Sequence, residues 1–99
     1  MSVTVMTRYK GGKQEEVTPL AKKVKAIHQK HGAEIYRVAR FHTGPYVGEW
    51  LVVVRYADWA GYAKAQVSLA VDTEYQKIIG QVAKIAEVTS RNFLVDLDV

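Results

Sequence analysis

The order of the predicted elements places this chain in the α+β class: strand, helix, strand, strand, helix, strand. Three observations carry that prediction. Residues 33–56, AEIYRVARFHTGPYVGEWLVVVRY, set two runs rich in Val, Ile, Tyr, Phe and Trp on either side of Thr43-Gly44-Pro45-Tyr46. A Gly-Pro pair between β-type runs marks a tight hairpin connection. Before it, Val17, Leu20, Ala21, Val24, Ile27, His28 and His31 recur with the period of a helix. The last run, Val88–Leu97, alternates as a strand does.

The elements follow in order. Ser2–Tyr9 forms the first strand, with Val3, Val5, Thr7 and Tyr9 on one face and Ser2, Thr4, Met6 and Arg8 on the other. Gly11-Gly12 ends it. Thr18 reads as the N-cap of the first helix and Pro19 as its first turn, where a missing N–H costs nothing, with a turn through Gln14–Val17 ahead of it. Lys30 and His31 suit the exposed carbonyls of the last turn, and Gly32 suits the residue after it. A hairpin centred on Pro45 sets Arg40 opposite Trp50, Val38 opposite Val52 and Tyr36 opposite Val54. The other face then pairs Ala39 with Leu51, Arg37 with Val53 and Ile35 with Arg55. Both faces carry large apolar groups and both carry arginine, so the pattern leaves open which face takes the helices.

The second helical segment is split in two. Asp58 reads as an N-cap, with Trp59, Tyr62, Ala63, Gln66 and Ala70 inward, and Val71-Asp72-Thr73 interrupts. Thr73 and Gln76 have capping-box spacing ahead of a stripe of Tyr75, Ile78, Ile79, Val82 and Ala86. The last strand sets Arg91, Phe93, Val95 and Leu97 against Ser90, Asn92, Leu94 and Asp96. This is the βαββαβ order of a ferredoxin-like split unit: one four-stranded antiparallel sheet, strand order 4-1-3-2, helices on one side.

Composition bounds the rest. The 99 residues make one domain, 1–99, and 48% hydrophobic with 24% charged residues is ordinary for a folded globule. No apolar run approaches the ~18 residues of a membrane helix. MSVTVMTRYK holds no basic leader, apolar stretch or cleavage site, so a cytoplasmic protein is expected. Without cysteine there is no disulfide, thiolate nucleophile or cysteine metal site. The net charge is +4, and Arg8, Lys10, Lys13, Lys22, Lys23, Lys25 and Lys30 crowd residues 8–31 against Glu15 and Glu16 alone. Lysines on the outer side of an amphipathic helix are commonly just solvated, and no phosphate-loop spacing follows Gly11-Gly12-Lys13.

The whole chain resembles the dimeric α/β-barrel superfamily of ferredoxin-like proteins. The resemblance rests on element order and on TGPYVGEWLVVVRYADWAGYAKA running into VDTEYQKIIGQV, with its Asp-aromatic and Asp-x-Glu-Tyr helix starts. It is similar to small members near the NIPSNAP-type group, whose relatives include antibiotic-biosynthesis monooxygenases and EthD-like proteins. The resemblance implies two sheets paired face to face across a two-fold axis, with a cleft in each subunit. It implies architecture rather than one reaction. The cofactor-free monooxygenases arrange Asn, Trp and His around that cleft. Asn92 is the only asparagine here, and its spacing to Trp50, Trp59 and His42 reproduces no such set, so no catalytic residue carries over.

Candidate site residues come from the residue pattern instead. Arg40 and His42 share a strand face beside the hairpin turn, with Tyr36 further in and Trp50 opposite Arg40. A cation, an imidazole and an indole on one face suit an anionic or enolic aromatic ligand. The same residues also satisfy a purely structural Arg–Trp stack. Arg40 and His42 are the candidate catalytic groups, and Tyr36, Arg40, His42, Trp50 and Trp59 the candidate ligand contacts. Trp59, Tyr62 and Tyr75 equally have the spacing of core residues. His28 and His31 lie three apart on a helix without a flanking carboxylate, so packing or capping is expected of them, and no metal or cofactor.

Two function classes remain. One is a barrel that binds a small, partly apolar organic molecule, as a cofactor-independent monooxygenase or isomerase. The other is a homodimer whose barrel is only structural. RNA binding, which shares the βαββαβ order, needs aromatics in the middle of the third strand, and VGEWLVVVRY has valines there. No nucleic-acid or membrane partner is expected. A homodimer is, because an apolar pattern on both sheet faces leaves one face for a partner.

Overall fold

The computed structural model describes all residues, 1–99. Its elements are β1 (Val3–Lys10), α1 (Gln14–Lys30), β2 (Ile35–Arg40), β3 (Trp50–Tyr56), α2 (Trp59–Ala70), α3 (Thr73–Ala83) and β4 (Glu87–Val95). The four strands form one antiparallel sheet in the order β2-β3-β1-β4, the ferredoxin-like order that the sequence predicts.

The register of the hairpin is also the predicted one: Tyr36 pairs with Val54, Val38 with Val52 and Arg40 with Trp50. The connection is wider than the tight turn expected. It runs from Phe41 to Glu49 and is closed by Phe41 N–H to the Glu49 carbonyl and Gly48 N–H to the Phe41 carbonyl. Pairing across the mouth of this loop holds the register although the loop itself is long.

The helices cover the face of Trp50, Val54 and Tyr56, which settles the question that the alternation left open. Val3, Val5, Tyr36, Val54 and Tyr56 are buried beneath Val24 and Ile27 of α1, Ala65 and Leu69 of α2 and Ile78 of α3. The inward stripe of α2 is therefore Tyr62, Ala65 and Leu69. Ala63, Gln66 and Ala70 are exposed, and so is Trp59. Asp58 is the N-cap, as the sequence predicts, and accepts from Gly61 N–H at 2.7 Å; the stripe continues from Tyr62 at intervals of three and four residues, through Ala65 and Leu69.

Two caps differ from expectation. Helix α1 starts at Gln14 rather than after Thr18, and Pro19 lies inside it. The Glu16 carboxylate accepts from Lys13 N–H at 3.0 Å, and the Lys13 carbonyl takes the N–H groups of Glu16 and Val17. Pro19 is the sixth residue of the helix, so its missing N–H leaves the Glu15 carbonyl without the usual donor four residues on. Helix α3 is capped by Asp72, whose Oδ1 accepts from Tyr75 N–H at 2.9 Å, and not by Thr73. Asp72 also takes His31 Nε2 at 2.7 Å, which ties the end of α1 to the start of α3.

At the other end, the Trp50 indole N–H donates to the Gly11 carbonyl at 2.9 Å, closing β3 against the turn after β1. Gly11 has φ +104°, and a Cβ there would come within 2.6 Å of the Ile85 carbonyl oxygen, so the turn accepts no side chain. No helix is long and apolar enough to cross a membrane.

Candidate functional site

The sequence places polar side chains at five inward positions, and the fold gathers them between sheet and helices. His28 comes from α1, Tyr75 from α3, Tyr36 and Tyr56 from β2 and β3, and Arg91 from β4. They line a cleft of about 550 Å³, counting its open mouth, whose other walls include Val5, Val52, Val54, Tyr62 and Ile79.

His28 is the centre of this cleft. Its ring stacks on Tyr36 (centroids 5.2 Å apart) and meets Tyr75 edge-on (5.4 Å). Nδ1 lies 3.3 Å from the Tyr56 hydroxyl. Burial among these rings, helped by the charge of His31, lowers the His28 pKa to about 4, so the imidazole is neutral at pH 7. Burial likewise raises Tyr56 to about 12, and pushes Tyr36 and Tyr75 upward, so the tyrosines remain protonated donors. Across the cleft the Arg91 guanidinium donates from Nε to Thr7 Oγ1 at 3.1 Å and forms no ion pair. The lining thus holds a neutral base, phenolic donors and one free cation, and no carboxylate. No group of three or more His, Asp or Glu side chains is disposed to hold a metal ion.

Of the residues singled out from the sequence, Tyr36, Arg40 and Trp50 line one space together, an outer groove, while His42 and Trp59 do not line it. Tyr36 also lines the His28 cleft. Arg40 and Trp50 lie on the far side of Tyr36, stacked with 5.0 Å between the guanidinium carbon and the ring centroid. His42 is exposed in the hairpin loop and lines neither space. Trp59 sits outside, against Phe93 and Tyr62. Asn92 pairs with Met6 on the uncovered face of the sheet. His28, Tyr56, Tyr75 and Arg91 form the cluster that sequence reasoning missed. His28 and Tyr75 were on recognised inward stripes, and a polar group at an inward position was the available signal.

On the uncovered face, Arg8 reaches Glu49 at 3.8 Å and Ser90 at 2.7 Å, with its guanidinium 3.6 Å from the Tyr46 ring centroid. Arg55 reaches Glu34 and Asp96 at 3.9 and 3.6 Å. Between these pairs lie Met6, Leu51, Val53 and Leu94, partly or largely exposed.

No protein-family model matches this chain. No curated protein matches it either. Solved structures do. SnoaB of Streptomyces nogalater, described as a cofactor-independent oxygenase, superposes with a TM-score of 0.78 at 10% identity, over 99% of this chain and 95% of that one. A NIPSNAP family protein of unknown function from Agrobacterium tumefaciens gives 0.74 at 12% identity, over 94% and 86%. A candidate antibiotic biosynthesis monooxygenase from Chloroflexus aurantiacus gives 0.69 at 10%, over 100% and 96%. The chain has the ferredoxin-like fold of the antibiotic-biosynthesis-monooxygenase and NIPSNAP proteins.

Proposed function

We propose that this chain is half of a homodimeric α/β barrel and binds a small, partly apolar organic molecule in the His28 cleft. Its proposed chemistry is cofactor-independent: proton removal from an enolisable or phenolic group, followed by oxygenation or isomerisation. One observation carries this reading. An uncharged imidazole and an unpaired guanidinium face one aromatic cleft.

Chemically, a neutral imidazole offers a lone pair to an acidic O–H or C–H. The proton moves to the ring, and the substrate oxyanion is left facing Arg91. Burial, with His31 nearby, holds the pKa low, and the resting cleft has no anion to stabilise an imidazolium. A bound oxyanion supplies one, so the ion pair forms only as the reaction proceeds. An electron-rich anion of this kind reduces dioxygen without flavin or metal, or takes its proton back at another carbon. The likeness to SnoaB favours the first outcome.

Deuterium exchange reads the proton-removal step common to both. A panel of enolisable aromatic ketones and hydroquinones is incubated in D2O with chelator present, and exchange is followed by NMR beside oxygen uptake. His28→Phe is expected to lower the exchange rate by about 100-fold or more, and Arg91→Gln by about tenfold, with unchanged folding. A His28→Phe protein as active as the parent, or a parent that binds none of the panel, contradicts the reading.

A further inference from the structure

Outside the His28 cleft, between α1 and the edge strand β2, runs the larger groove, about 1010 Å³ counting its open side. Lys22 and Lys25 of α1 and Arg40 of β2 line it, and no Asp or Glu does, while Arg37 at its edge alternates to the other face of the strand with Val53. None of these three groove cations takes part in an ion pair anywhere in the chain. Proteins usually place lysines on the solvent-facing side of a helix, where each is hydrated separately. Here two of them share a concave space with an arginine that lies over the Trp50 ring.

The groove is also not isolated. Between it and the cleft lies a third space, lined only by apolar and aromatic residues, which shares Val17, Val38 and Trp50 with the groove and Tyr9, Val24 and Val52 with the cleft. Tyr36 lines all three. The three spaces thus lie side by side around Tyr36, apolar in the middle and different in chemistry at the two ends.

We infer that the groove holds the anionic group of the ligand, and that the ligand is an amphipathic organic phosphate: an aromatic or aliphatic body carrying a phosphate ester. This rests on the cleft reading for the body of the molecule and adds the head group. Three unpaired cations match a dianion better than a single carboxylate, and arginine binds phosphate oxygens in pairs. The Arg40–Trp50 stack fixes the guanidinium group where the groove meets the apolar passage. The open side of the groove lets the charged end keep part of its hydration.

The test compares three probes by isothermal titration calorimetry: 1-naphthol, 1-naphthoate and 1-naphthyl phosphate. The phosphate is expected to bind about tenfold tighter than naphthol at low salt. Its advantage should shrink as ionic strength rises, because the groove is open to solvent. In Lys25→Gln/Arg40→Gln, two exposed positions, that advantage should vanish while naphthol affinity is unchanged. Equal binding of naphthol and naphthyl phosphate by the parent protein, or an advantage that survives in the double variant, overturns the inference. Naphthoate binding as tightly as the phosphate overturns the phosphate assignment. Tyr75→Trp, which narrows the cleft alone, separates the two readings. If it weakens neither probe and the phosphate advantage persists, the cleft reading fails and the anion site stands.

Discussion

The two faces of the sheet are built from the same strands and solve different problems. On β3, Trp50, Val54 and Tyr56 point into the helices and are buried, while Leu51, Val53 and Arg55 on the alternate positions stay partly exposed. On β1 the same holds for Val3, Val5 and Thr7 against Thr4, Met6 and Arg8. The covered face completes its packing within the chain and keeps one polar pocket around His28. The uncovered face pairs Arg8 with Glu49 and Arg55 with Glu34 and Asp96 and leaves Met6, Leu51, Val53 and Leu94 between them. A face meant only for water has no reason to carry that apolar strip. The difference is what the proposal rests on: a ligand for the first face and a partner for the second.

The sharpest way to break this comparison is to cut into the covered face. Tyr56 is 1% exposed and its ring packs edge-on against Tyr62 at 5.5 Å. Tyr56→Ala is expected to cost about 3–5 kcal/mol in chemical denaturation, because it leaves a cavity and strips His28 of its hydroxyl partner. Val53→Ala, at a matching place on the other face, should change folding of the isolated chain far less. Similar costs at the two positions would mean that the faces are not distinct.

The pocket within the covered face gives the next effect. His28 titrates near 4 when folded and near 6.5 when unfolded. As pH falls through 6.5 the unfolded chain gains a proton that the folded chain refuses, so stability drops between pH 6.5 and 4 and is complete above 6.5. At about 1.4 kcal/mol per pH unit the total is roughly 3 kcal/mol. In His28→Phe the profile across that window should flatten. Asp72, lowered by its hydrogen bonds from His31 and from Tyr75 N–H, adds a separate loss below its ordinary value of 3.8. A parent profile flat from pH 4 to 6.5 would contradict the burial of a neutral imidazole.

A change that touches neither face sets the scale for both. Asp58→Ala removes the N-cap bond to Gly61 and is expected to cost about 1 kcal/mol by denaturant midpoint. A cost as large as that of Tyr56→Ala would show that helix capping, rather than the packed face, dominates stability.

Much of the fold was legible because it rests on local period. The hairpin register follows from alternation and one turn, and every pair from Ile35–Arg55 to Arg40–Trp50 is as the alternation requires. The choice of covered face was not legible, since Leu51 and Val53 look as apolar as Val52 and Val54. Helix starts failed where two capping residues competed: Thr73 stood beside Asp72, and a carboxylate accepts from the first turn better than a hydroxyl does. The site was legible only in pieces. Arg91 reaches the cleft through the pairing of β1 with β4, strands far apart in sequence and offset by an irregularity at Arg8/Tyr9, so no local pattern could set it beside Thr7. His42, adjacent to Arg40 in the pattern, was lost to the loop because the strand ends at Arg40.

The partner face is the claim from which the rest of the account takes its shape, and mass in solution tests it most directly. Covering a patch of about 400 Å² is worth roughly 10 kcal/mol before the cost of association, and a two-fold pairing lets the strip meet itself. Light scattering after gel filtration at micromolar concentration should give about twice the 11.1 kDa of the chain. Val53→Lys, which sets a charge in the middle of the strip, should shift that mass to a single chain without unfolding it. A parent protein that runs as a stable, soluble 11.1 kDa monomer would contradict the account.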